Sequence, residues 1–112
     1  MSGEIVVLVT AASETEARLI ARRIVEDKIA ACVNIIPTIQ SVFDWEGKVT
    51  EEQESLLIIK TKAEVFDLLE SAIKRLHSYS VPEIIALPIQ SGSSDYLAWL
   101  GQMVKPKLNK KT

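Results

Sequence analysis

The chain has one cysteine, one histidine and four glycines in 112 residues, and each shortage removes a class of protein. One thiol cannot close an intrachain disulfide, which fits a reducing compartment rather than a disulfide-stapled secreted scaffold. His77 is the only imidazole and so the only side chain suited to act as a base near neutral pH. No Gly-rich phosphate loop, zinc-protease helix or nucleophile elbow accompanies it. A nucleophile needs an orienting base within reach, so a non-enzymatic protein is expected. Long apolar runs are also missing. Ile5 to Val9 is too short for a signal core or a membrane span, and Met1-Ser2-Gly3-Glu4 carries no positive n-region. A net charge of −2 leaves no electrostatic footprint for nucleic acid. The expectation is a cytoplasmic protein without a nucleic-acid or membrane partner.

What is present is one domain, expected over residues 1–104, followed by a lysine-rich tail over 105–112 that reads as a solvated, frayed end. Its centre is a long β-hairpin. One arm runs from Ala30 to Trp45, Glu46-Gly47-Lys48 supplies the turn, and the return arm runs from Val49 to Thr61. Gly47 offers the positive φ that a tight reversal requires. Pro37 can give no ladder hydrogen bond, so it marks an edge, a bulge or a change of partner. Ile5 to Val9 reads as an earlier strand and Ile84 to Ile89 as a later one. Ser13 is placed to cap a helix that buries Ala17, Ile20, Ala21, Ile24 and Val25, with Glu16 at the capping-box position. A second helix buries Val65, Leu68, Leu69, Ala72, Ile73 and Leu76 and ends near His77. A third starts near Ser93 or Ser94 and is expected to bury Tyr96, Leu97, Trp99 and Leu100.

The order β-α-β-β-α-β plus a terminal helix is the split βαβ, or ferredoxin-like, α+β arrangement with an antiparallel sheet. Two helices cover one face of such a sheet, and the other face of a lone subunit should alternate apolar with polar. Ile5 to Val9, Leu56 to Ile59 and Ile84 to Leu87 do not alternate. Both faces are therefore expected to be dry, and the simplest cover for the second is another copy of the chain.

Five stretches together resemble the CutA divalent-cation-tolerance family: Ala30-Ala31-Cys32-Val33-Asn34-Ile35-Ile36-Pro37, Trp45-Glu46-Gly47-Lys48, Ile58-Ile59-Lys60-Thr61, Val81-Pro82-Glu83-Ile84 and Asp95-Tyr96-Leu97-Ala98-Trp99. The resemblance extends from about Ile5 to Met103. It implies a homotrimer whose hairpins cross onto neighbours, a role in tolerance of copper or another divalent metal, and Cys32 and His77 as metal ligands. Two departures stand out. The chain reads His77-Ser78-Tyr79, without the family's proline between histidine and tyrosine, and Val9 stands where some bacterial members have a second cysteine.

Each candidate also has a plainer role. Free cysteine packs as a small hydrophobe, so Cys32 is expected to be buried and inert unless further donors reach it. His77 at a helix C-terminus can serve the dipole alone. Glu51, Glu52 and Glu54 lack the spacing of a calcium loop and read as a solvated hairpin arm. Trp45 beside the turn suggests a tip held against a neighbour. Lys60, Tyr79, Glu83 and Tyr96 fall near strand ends, where a cleft between subunits would collect them. There Lys60 and Glu83 would form the charged pair for a small molecule or anion, or an ion pair pinning the interface. The alternative to metal tolerance is thus a signalling or scaffold trimer resembling the PII-like regulators.

Overall fold

The computed structural model describes residues 3–106. Strand β1 (Glu4–Ala11) leads to helix α1 (Glu14–Glu26), then to β2 (Cys32–Trp45) and β3 (Lys48–Lys62). A single 3-10 turn precedes α2 (Phe66–Leu76), followed by β4 (Ile84–Pro88) and α3 (Ser94–Met103). Ser13 and Ser93 cap α1 and α3 by accepting from the amides of Glu16 and Tyr96. Only half of the expected capping box forms at α1, because the Glu16 carboxylate turns instead to Ser78. The exposed side of α1 carries Arg18–Glu14, Arg22–Glu26 and Arg23–Asp27 pairs one turn apart.

The sheet order is β2-β3-β1-β4, with every neighbouring pair antiparallel. The hairpin closes through a two-residue turn in which Glu46 and Gly47 both take positive φ, at 53° and 86°. That is the primed geometry matching the twist of the strands it joins. Register along β2 and β3 is regular except between Ile36 and Ile39, where Pro37 and Thr38 bulge out. Ser55, opposite the bulge and buried, donates to the Pro37 carbonyl at 2.6 Å. Proline thus stands on an edge strand and at a bulge, where its missing N–H leaves no gap in the ladder.

Side-chain alternation divides the sheet. Ile5, Val7, Val9, Leu57 and Ile59 point to the helical face and form one core with Ile20 and Ile24 of α1 and Leu69 and Ile73 of α2. The opposite face carries Val6, Leu8, Leu56, Ile58, Ile85 and Leu87. It is apolar as expected, and within one chain it stays open, with Ile85 and Leu87 about half exposed at 49% and 50%. Beyond the bulge the hairpin projects from the body, and the chain with its hairpin extends 43 × 36 × 24 Å. Its radius of gyration, 14.8 Å, exceeds the roughly 13 Å of a compact chain of this length.

Three expectations from the sequence need correcting. Val25 lies at the edge of the α1 stripe and is exposed. In α3 only Leu100 is buried, closing over Ala31 and Val104 at the end of the sheet, while Tyr96 and Trp99 lie open with their rings 5.5 Å apart. β4 stops at Pro88 rather than Ile89. It is an edge strand, and of its five residues only Ile84 is even partly buried. Of the lysine-rich tail, residues 107–112 lie outside the described residues.

Candidate functional site

His77 sits where α2 ends, and its extended backbone turns the chain away from the helix. Its side chain is fully buried. Nε2 lies 2.7 Å from the Thr10 carbonyl of β1, and Nδ1 lies 3.0 Å from the Tyr79 amide. A carbonyl can only accept and an amide can only donate. The ring therefore carries its proton on Nε2 and accepts at Nδ1. Glu16 stands 3.3 Å from the same Nδ1 and accepts from both the amide and the hydroxyl of Ser78, each at 2.8 Å. These bonds tie β1, α1 and the segment after α2 into one corner.

That corner positions Tyr79, whose hydroxyl donates to Glu54 of β3 at 2.8 Å. The Tyr79 phenol is pushed well above the ordinary tyrosine range, first by burial, then by its bond to Glu54 and the charges of Glu54, Glu52 and Glu16. Between the projecting hairpin and the segment 79–83 lies a cleft of about 660 Å³. Phe43, Trp45, Thr50, Glu52 and Glu54 form its hairpin wall; Thr10, Tyr79, Val81 and Glu83 face them. Among the described residues no lysine, arginine or histidine lines it.

Cys32 occupies a separate place. It stands opposite Lys60 on β3, which stands opposite Val6 on β1. Thr10, the partner of His77, is four residues further along β1, or about 13 Å at ordinary strand rise. Cys32 is half-buried, with Sγ 4.0 Å from Asn34 Oδ1, and Lys60 Nζ donates to that same oxygen. Tyr96 lies beside the thiol, and its phenol is raised from the ordinary value by burial first and then by the Cys32 sulfur.

The structure therefore gathers Trp45, Tyr79 and Glu83 in one cleft and Cys32, Lys60 and Tyr96 at the far end of the sheet. Lys60 does not meet Glu83, and His77 meets neither group through a free nitrogen. Among the described residues no three His, Cys, Asp or Glu side chains converge as a metal would require. Sequence reasoning missed Phe43, Thr10 and Glu16. Register offered a signal for Phe43, since Phe43 and Trp45 share a hairpin face with Thr50, Glu52 and Glu54. Glu16 offered none, because its partner Ser78 is 62 residues away.

A family model described as the CutA1 divalent ion tolerance protein matches residues 5–103. The divalent-cation tolerance protein CutA of Thermus thermophilus is 52% identical over 97 residues, which are 87% of this chain and 94% of that protein. The chloroplastic protein CutA of Arabidopsis thaliana is 50% identical over 86% of this chain, which spans only 53% of that protein's length. The solved Cut A1 structure from Thermus thermophilus superposes with a TM-score of 0.89 at 49% identity, covering 91% of this chain and 99% of that one. No helix among the described residues is long and apolar enough to cross a membrane.

Proposed function

The chain belongs to the CutA1 divalent ion tolerance family, and from that premise we propose that it acts in divalent-cation tolerance as a homotrimer that binds copper or another divalent metal. The strand order, with α1 and α2 on one face, supports reading the subunit as ferredoxin-like. The observation that carries the assembly is the uncovered apolar face of Val6, Leu8, Leu56, Ile58, Ile85 and Leu87. Copies of the chain cover it most simply, since any monomer would leave that area in water.

Metal is cargo in this reading, and one subunit supplies too few donors to hold it. Cys32 is the soft donor. The groups around it are an amide oxygen, a phenol and a lysine ammonium that repels cations. His77 would join only by giving up its bonds to Thr10 and Tyr79. The site therefore draws its donors from several copies around a shared axis, with Cys32 contributing from each. No catalytic role is assigned, because the family's description names tolerance and no reaction. A cytoplasmic location is supported by the single free thiol. Copper titration tests the ligands: Cys32→Ala should lose affinity, and unchanged affinity in both Cys32→Ala and His77→Ala removes the named site. Sedimentation tests the trimer, and a soluble folded monomer at micromolar concentration rules it out.

The aromatic-walled cleft favours a second reading, a PII-like scaffold that binds a small ligand beside the hairpin. Its volume lies within the usual range of small-molecule sites, roughly 300–1,000 Å³.

A further inference from the structure

We infer that Glu16 and Ser78 are positioning residues for the projecting hairpin. Acting through Tyr79, they brace its root against α1 and set the direction in which it leaves the sheet. Every bond of the brace lies within one chain, so the brace is independent of what the hairpin meets.

The root is where β3 loses its third strand. β3 pairs with β1 only as far as Ser55, which stands opposite Ala11. Glu54 comes next, opposite Ile39 on the far side of the bulge. From there to the turn the ribbon has two strands, and such a ribbon is marginal alone. Among the described residues one hydrogen bond joins the stretch from Ile39 to Glu54 to the rest of the subunit. It is the Tyr79 hydroxyl donating to Glu54 at 2.8 Å. No ion pair among the described residues does the same.

Tyr79 can hold Glu54 only if its own backbone is held, and it lies between α2 and β4, outside any helix or strand. Glu16 supplies the hold. Its carboxylate accepts from the amide and the hydroxyl of Ser78, each at 2.8 Å. The Glu16 side chain is 14% exposed, so water competes little for these charge-assisted bonds. The His77 ring adds a second tie, bonding the Thr10 carbonyl and accepting from the Tyr79 amide. Helix α1 is itself fixed to the sheet through Ile20 and Ile24. The path therefore runs from a packed helix through Glu16, Ser78 and Tyr79 to Glu54.

Two bonds to Ser78 hold one backbone position, which a proline ring would hold without any partner. The backbone admits it. His77 has ψ at 143°, the extended setting that a following proline demands, and Ser78 has a negative φ. Among the described residues the Ser78 amide bonds only Glu16. Ser78→Pro in a chain lacking the Glu16 carboxylate therefore separates positioning from a lost contact.

The test is the order of the hairpin amides from Val42 to Val49, read on the intact protein by nuclear magnetic resonance. Order parameters are taken from residual dipolar couplings, so that slow swings count, with the β1 amides as reference. Tyr79→Phe and Glu16→Ala should each lower the hairpin values from about 0.85 to below about 0.6, with β1 unchanged. Glu14→Ala removes a neighbouring first-turn carboxylate that does not bond Ser78, and should change neither. Adding Ser78→Pro to Glu16→Ala should restore the hairpin. An ordered hairpin in Tyr79→Phe means that strand pairing or neighbouring copies fix it, and overturns the brace. Loosening by Tyr79→Phe but not by Glu16→Ala, or no restoration by Ser78→Pro, overturns the role of Glu16 and Ser78. Equal loss in β1, or loosening by Glu14→Ala, would make the effect a general one of α1 and overturns it as well.

Discussion

The long hairpin changes character at Pro37. Inside the bulge, Leu57, Ile59 and Thr61 of β3 are fully buried against the helices, and Thr61 donates to the Ile29 carbonyl at 2.6 Å. Outside it, no residue from Val42 to Val49 is buried, although Val42, Phe43, Trp45 and Val49 are apolar. The two halves share strands, register and hydrogen bonding. They differ in what lies behind them. The inner half completes its own subunit. The outer half is a two-stranded ribbon, which is marginal in water unless something packs on it, and its apolar side chains stay exposed within the chain.

The comparison is most strongly tested by truncation at each half. Ile59→Ala should cost about 2–5 kcal/mol in chemical denaturation, the range for emptying a well-packed core site. Val49→Ala, at 77% exposure, should cost less than about 0.5 kcal/mol by the same measurement if nothing covers it. A comparable loss at both would erase the distinction between the halves. Next in size is Trp45→Ala. It should weaken self-association by about 2 kcal/mol at unchanged circular dichroism, measured by sedimentation. Unaltered association would confine Trp45 to the cleft.

The joint between the halves is sharpened by Ser55→Ala, which removes the bond to the bulged Pro37 carbonyl. A loss of about 1 kcal/mol is expected, with faster amide exchange beyond the bulge than before it. The smallest effect is an alkaline one at Tyr79. Its folded phenol titrates above the ordinary tyrosine value. Its contribution is therefore fully present below the unfolded value, near pH 10, and fades as pH rises through the folded one. Tyr79→Phe should flatten that alkaline loss in stability-versus-pH curves, and an unchanged curve would mean that Glu54 and burial do not hold the proton.

Local signals were legible wherever one residue's chemistry sufficed. Ser13 offered a cap, Ser93 or Ser94 a helix start, Gly47 a positive φ, Pro37 a break in the ladder, and the apolar periodicity of α1 and α2 their buried stripes. The third helix was less legible, because Tyr96 and Trp99 resemble core residues until it is known that α3 reaches only the end of the sheet. The candidate site was legible by residue type and much less by place. Lys60 and Glu83 both flank strands, yet antiparallel pairing sends one beside Cys32 and the other into the cleft.

Alternation, capping residues and turn chemistry act over a few neighbours, so the chain itself determined its elements, their order and a sheet with no polar face. Family membership was written there too, in short segments kept in order. Only the folded register decided that His77 spends both ring nitrogens on Thr10 and Tyr79, that Glu16 holds Ser78, and that the hairpin cleft is acidic. Those outcomes depend on which strands pair and where the bulge falls, and contacts across 25 to 67 residues leave no periodic trace in the sequence.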